Sequence, residues 1–235
     1  MGQNMDAAEF ISRHFEATHG WLDKHAVYTT EVLIGTQRNL GVQGCNVEIG
    51  VYHGKYLGAL MALSPDREAI GIDVWLYNQQ KEAARFLESI HGKPNFTLFQ
   101  SNTYDLSEAR FAELLNAHVI AFGSVDGAHT RVGVTHDLAL VKSQLQPGGI
   151  IAIDDFLSAG CLGVTEGTIE VMNATDLEPI CFSRNKLYVT SSSWSELYTH
   201  VLQMWLQHGA GKSLFNRDGR PADATVLAGR PLIIF

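Results

Sequence analysis

Through the first two thirds of the chain, short apolar runs alternate with longer stretches whose apolar residues recur at helical spacing. The runs at 45–49, 69–72, 96–99, 119–125 and 150–153 have the length and β-branched content of buried strands. Between them, 56–63, 79–90, 105–117 and a segment carrying Val134, Leu138 and Val141 repeat with a period near 3.6. Strands that alternate with helices in this way predict βαβ units and a parallel sheet covered on both faces. The expected fold is α/β, Rossmann-like and doubly wound, on a mostly parallel sheet.

The flanks read differently. Residues 6–19 form an amphipathic helix with Asp6 as its cap and Phe10, Ile11 and Phe15 on one face. The mixed stretch 20–44 is helical or irregular, and its Trp21, Tyr28 and Leu33 suit either the core or the mouth of a pocket. Residues 160–173 read as a loop and helix, while 177–182 and 186–190 form an antiparallel hairpin across Ser183-Arg184-Asn185. Ser193 and Glu196 have capping-box spacing and open a helix with Leu197, Val201, Met204 and Trp205 on one face and Gly209 as its stop. The tail 220–235 holds one strand-like run at 232–235. These elements make 1–235 a single unit: a helical cover (1–44), a cofactor-binding core (45–190) and a C-terminal helix and tail (191–235).

Composition narrows the partners. A hydrophobic share of 46% supports a substantial core, and a net charge of -8 argues against a nucleic-acid backbone as ligand. Cys45, Cys161 and Cys181 are scattered without metal-type spacing, as expected of reduced thiols. The start MGQNMDAAEF lacks a signal peptide's basic and apolar regions, and no apolar run approaches a membrane span. The expectation is a cytoplasmic protein without membrane association. The apolar stripe near Trp205 is compatible with a homo-oligomer.

The candidate chemistry lies in 119–156, a βαβ unit whose first strand ends at Asp126-Gly127-Ala128-His129 and whose second ends at Asp154-Asp155, with Pro147-Gly148-Gly149 stopping the helix between them. Parallel strands joined by one helix end on the same edge of the sheet, where open α/β folds bind ligands. Asp126, Asp154 and Asp155 converging there would repel one another, and an oxygen-seeking divalent cation such as Mg2+ would relieve this. Helix capping is the alternative for each of them.

Upstream, the strand 45–49 runs into Gly50-Val51-Tyr52-His53-Gly54 and a helix, an arrangement that lets backbone amides approach a ligand. Asp73 ends the next strand near the spacing at which a carboxylate meets a ribose diol, although it could also cap a helix. Ser101 and Asn102 end the third strand and could meet an adenine edge. Glu48, Gly50, Tyr52, Gly54, Asp73, Ser101, Asn102 and Asp126 thus outline a nucleoside pocket. With no Walker lysine, an adenosine without phosphates fits best, and S-adenosylmethionine is such a cofactor. The partner would be a small-molecule hydroxyl acceptor, made nucleophilic by the metal and by a base. His129 is the candidate base; it could instead orient Asp126 or ligate the metal. An NAD-dependent dehydrogenase would want the central glycine that Tyr52 replaces. A non-catalytic cofactor-binding assembly protein is a further alternative.

The segments VEIGVYHG, GID, SVDGAH and GGIIAIDD together resemble the class I S-adenosylmethionine-dependent methyltransferases, and among them the metal-dependent O-methyltransferases of macrolide sugars such as macrocin and mycinamicin. The resemblance covers roughly 45–156. It implies a seven-stranded sheet with an antiparallel last hairpin, Asp126, Asp154 and Asp155 as Mg2+ ligands, and His129 as the base. Catechol-type O-methyltransferases share the glycine turn but typically end the metal strand in Asp-Asn, where this chain has Asp154-Asp155. Both groups often place Ser shortly after the second glycine to meet the cofactor carboxylate, a position held here by Tyr56.

Overall fold

A computed structural model describes residues 5–76, 78–90, 95–208, 210–215 and 223–235. Five parallel strands form its centre: β1 (Cys45–Ile49), β2 (Ala69–Asp73), β3 (Phe96–Gln100), β4 (Ile120–Val125) and β5 (Leu145–Ile153). Every residue of β1 and β4 is buried, including the polar Asn46, Glu48 and Ser124, so neither strand shows the alternation of a half-exposed one. The hairpin of β6 (Leu177–Ser183) and β7 (Lys186–Ser191) continues the sheet, with β7 antiparallel to β5.

The sheet is longer than the seven strands expected. β8 (Asp223–Leu227) and β9 (Arg230–Ile234) extend it, with β9 parallel to β6, so among the described residues it has nine strands in the order β3-β2-β1-β4-β5-β7-β6-β9-β8. The β6–β7 hairpin is therefore internal. Strand order reverses between β1 and β4, and the crevice at that switch point is where an open α/β sheet receives its ligand.

Helices cover both faces. α1 (Ala7–Arg13) is capped by Asp6 as expected but stops short of residue 19, and α2 (Lys24–Asn39) occupies the stretch that sequence left mixed. α3 (Lys55–Leu63), α4 (Gln79–Ile90), α5 (Glu108–Leu114), α6 (Arg131–Ser143) and α7 (Leu162–Ala174) complete the crossovers and the cover after β5. Only part of the helix expected over 105–117 forms: Asn102 caps a 3-10 turn at Thr103–Asp105, and Ser107 opens α5. Pro147-Gly148-Gly149 lies inside β5 and does not stop α6. The register jumps there from Ile120↔Leu145 to Phe122↔Ile150, and the bulge absorbs residues that cannot join the ladder.

The helix α8 (Ser192–Gln207) is turned differently from its sequence reading. Its buried face is Ser195, Tyr198, Leu202 and Leu206, whereas Leu197 and Met204 are exposed. The Ser193–Glu196 capping box does not form, because the cap is Ser191 and the Ser195 hydroxyl donates to Glu178. After it comes α9 (Ala210–Phe215), whose Phe215 packs with Trp205 and Phe235. The Gly209 stop lies outside the described residues. Among those described, no helix is long and apolar enough to cross a membrane.

Candidate active site

A cavity of about 460 Å³ opens at the carboxyl ends of β1, β2, β4 and β5, within the usual size of a small-molecule site. Its walls include Glu48, Gly50, Tyr52, Asp73, Ser101, Asn102, Asp126, His129, Asp154 and Asp155. Gly54 is the exception among the residues expected there. With φ +81 it starts α3 and packs against Leu87 and Ala83 of α4, so it serves helix packing rather than the cavity wall.

The glycine turn is built by backbone crossing. A Cβ on Gly50 would lie 1.9 Å from the Asp126 carbonyl oxygen, and the Asp126 amide donates to Ile49 at 2.8 Å, so the turns after β1 and β4 touch only because residue 50 has no side chain. Tyr52 has φ 52, and its amide donates to Asp73 Oδ2 at 2.8 Å while the Trp75 amide donates to Asp73 Oδ1 at 2.8 Å. Asp73 thus ties the two turns together and keeps one lone pair on each oxygen. Asn102 Oδ1 accepts from the Tyr104 amide, which leaves its NH2 group free of that bond. Tyr56 is buried, with its hydroxyl bonded to Thr30 at 2.8 Å.

The acidic centre has a cation that sequence reading did not assign. Lys186, 1% exposed, places Nζ 3.0 Å from Asp154 Oδ1 and 4.3 Å from the centre of the Tyr56 ring. Asn185 donates to the same Asp154 oxygen at 2.6 Å. The antiparallel register is responsible: Ile153 pairs with Leu187, which sets the start of β7 beside the residue that ends β5. A polar turn and a lysine opening a hairpin strand carry no signal of this until that register is known.

Opposite, His129 Nε2 lies 3.3 Å from Asp126 Oδ1 and 3.7 Å from Asp155 Oδ2. Asp155 has φ 53, a backbone turn that re-aims its side chain away from that of Asp154. Burial pushes the Asp126 carboxyl up to about 7, against the lowering effect of its hydrogen bond with His129. Burial would also raise Asp154, but Lys186 and the bond with Asp126 outweigh it and hold this carboxyl below the ordinary range. Burial raises Glu48 well above that range, with Lys186 opposing. The hydrogen bond to Asp126 raises His129, partly offset by burial. Burial thus suppresses part of the negative charge of these crowded carboxyl groups, and Asp126, Asp154 and Asp155 form an all-oxygen set that a hard cation would draw into the ionised state.

Residues 47–156 match the family described as a methyltransferase domain. Those residues, just under half of the chain, make a methyltransferase domain. Solved structures similar to this methyltransferase include apo CalS11, a TDP-rhamnose 3'-O-methyltransferase of calicheamicin biosynthesis, at 20% identity over 69% of this chain and 79% of that one, with a TM-score of 0.55. The O-methyltransferase NovP matches at 13% identity over 74% and 82% of the two chains, with a TM-score of 0.58. MycE, in complex with Mg, SAH and mycinamycin VI, matches at 17% identity over 80% of this chain and 55% of its own, with a TM-score of 0.56. At these identities the likeness is one of fold. No curated protein sequence matches the chain significantly.

Proposed function

We propose that this methyltransferase moves the methyl group of S-adenosylmethionine to a hydroxyl of a small molecule, a sugar or a glycosylated natural product, with Mg2+ bound. The observation that carries the reading is the meeting of Asp126, Asp154, Asp155 and His129 on one side of a cavity whose other side holds the glycine turn and Asp73. CalS11, described as acting on TDP-rhamnose, and MycE, solved with Mg and SAH, support it by analogy of fold.

The donors fit the metal. Three aspartates face one ammonium, and with Asp154 Oδ1 held by Lys186 and Asn185, Oδ2 is the atom that Asp154 offers an ion. A divalent cation held by Asp126, Asp154 and Asp155 would supply Lewis acidity that lowers the pKa of an acceptor hydroxyl. S-adenosylmethionine supplies a methyl group already activated on a sulfonium. His129 takes the hydroxyl proton on Nδ1, while Asp126 accepts from its Nε2–H, orients the ring and stabilises the imidazolium that results. Asp73 accepts from the ribose hydroxyls with its remaining lone pairs, and Ser101 and Asn102 meet the adenine edge. Tyr56, engaged with Thr30 and Lys186, shapes the floor.

Calorimetry of S-adenosylmethionine on protein stripped of copurified ligand tests the cofactor. Micromolar binding that weakens at least about tenfold in Asp73→Ala is expected, on the scale of one charged hydrogen-bonding group. Absence of binding with and without Mg2+ would remove the reading.

A further inference from the structure

Beside the all-oxygen set lies a second donor group of different character. Cys161 stands at the start of α7, with Sγ 3.4 Å from His129 Nδ1 and 3.4 Å from Asp155 Oδ2. One ligand atom each from His129, Asp155 and Cys161 can be chosen so that all three lie within 4.8 Å of one another. Ligands of a tetrahedral ion at about 2.0–2.3 Å are separated by less than this, so small side-chain rotations close the set around a metal. Cys161 has no place in the proposed methyl transfer.

We propose that Cys161, His129 and Asp155 form a sulfur-, nitrogen- and oxygen-ligated site for a borderline transition-metal ion such as Zn2+, and that its occupancy switches the methyltransferase off. The donor chemistry sets the selectivity. Mg2+ prefers oxygen and does not displace a thiol proton, whereas Zn2+ takes thiolate and imidazole together. Binding exchanges the Cys161 S–H bond for an S–metal bond and releases the proton to solvent. Coordination through Nδ1 leaves the one remaining ring proton of neutral His129 on Nε2, facing Asp126, so the ring has no lone pair to accept a substrate proton. Asp155 is shared with the oxygen set, so the two ions also compete for a ligand. The inhibition, though not the binding, rests on the proposed reaction.

Co2+ is the probe, because its thiolate bond gives a near-ultraviolet charge-transfer band that reports sulfur ligation without turnover. Titrating the full chain with Co2+ in excess Mg2+ is expected to produce that band in the parent and not in Cys161→Ser; Cys45 and Cys181 are buried and out of competition. No band, or a band of equal strength in the variant, overturns the site. Near-ultraviolet circular dichroism of Cys161→Ser checks that it folds. In the methyl-transfer assay, Cys161→Ser keeps its Mg2+-supported rate and needs at least about tenfold more Zn2+ for half-inhibition, the low end of what losing even an outer-sphere partner costs a metal site. Equal Zn2+ sensitivity of the two proteins overturns the switch. Because the cobalt band needs no acceptor, failure of the methyl-transfer reading leaves the metal site separately testable.

Discussion

Lys186→Met is the most informative single change, because it removes the only cation in contact with Asp154 among the described residues and retains much of the side-chain volume. At 3.0 Å the pair attracts by about 5–6 kcal/mol at an effective dielectric of about 20. Desolvation of both groups offsets part of this, and deleting one partner of such a buried pair costs about 3–5 kcal/mol, because the other charge is left unpaired. For a domain of this size that lowers the melting temperature by about 6–20 °C. Urea unfolding in EDTA, followed by circular dichroism, measures it. The pH dependence has a defined sign. Asp154 is held below its ordinary value, so its contribution is present above the unfolded carboxyl pKa and is lost as pH falls through the depressed folded value. Lys186 is held up by Asp154 and Asp126 against burial, so its contribution is present below the unfolded lysine pKa and is lost as pH rises through the raised one. The pair's own contribution is therefore full from about pH 5 to pH 9, and the loss in the variant grows with pH inside this window, because Asp126, which Lys186 holds down in the parent, becomes harder to ionise in the folded state. The Asp154→Asn, Lys186→Met double variant recovers at least about 2 kcal/mol of the single loss. A loss below about 1 kcal/mol, or no recovery in the double variant, would refute the pairing as the source of stability.

Other consequences are equally open to measurement. His129→Ala lowers turnover by about 10²–10⁴ with cofactor affinity unchanged in calorimetry; parallel loss of both would make it a binding residue. Gly50→Ala forces the turns after β1 and β4 apart, and its unfolding midpoint falls while cofactor binding is lost; a variant with parent-like binding contradicts the crossing geometry. Asp155→Asn weakens Mg2+ binding at least about tenfold without a large change in unfolding free energy, since Lys186 and Asn185 hold Asp154 and not Asp155. Equal destabilisation by Asp154→Asn and Asp155→Asn would contradict that division.

Much of the centre was legible because its periodicities are clean. α4 falls where the pattern puts it, and β1, β2 and β4 are mostly apolar and buried because both faces are covered. The carboxylates could be placed on one edge from connectivity alone. Other parts depend on information that local sequence does not carry. Both long faces of α8 are apolar, so spacing cannot decide whether Leu197 and Met204 or Tyr198 and Leu202 turn inward, and packing on the sheet decides. Pro147-Gly148-Gly149 looks like a helix stop, yet a bulge accommodates it inside β5. Lys186 reaches Asp154 through the antiparallel β5–β7 register, and Cys161 reaches His129 through the loop before α7, both long-range placements. Gly54 has the spacing of a cofactor-turn glycine, but its positive φ serves the start of α3.

The most direct test of the central claim is methyl transfer from isotope-labelled S-adenosylmethionine to a panel of nucleotide-linked deoxysugars and their glycosides, run in Mg2+ and in EDTA. Label on a sugar oxygen in Mg2+, lost in EDTA and restored by adding the ion back, is the predicted result. Transfer that proceeds equally in EDTA, or label that appears on no hydroxyl acceptor, would contradict it.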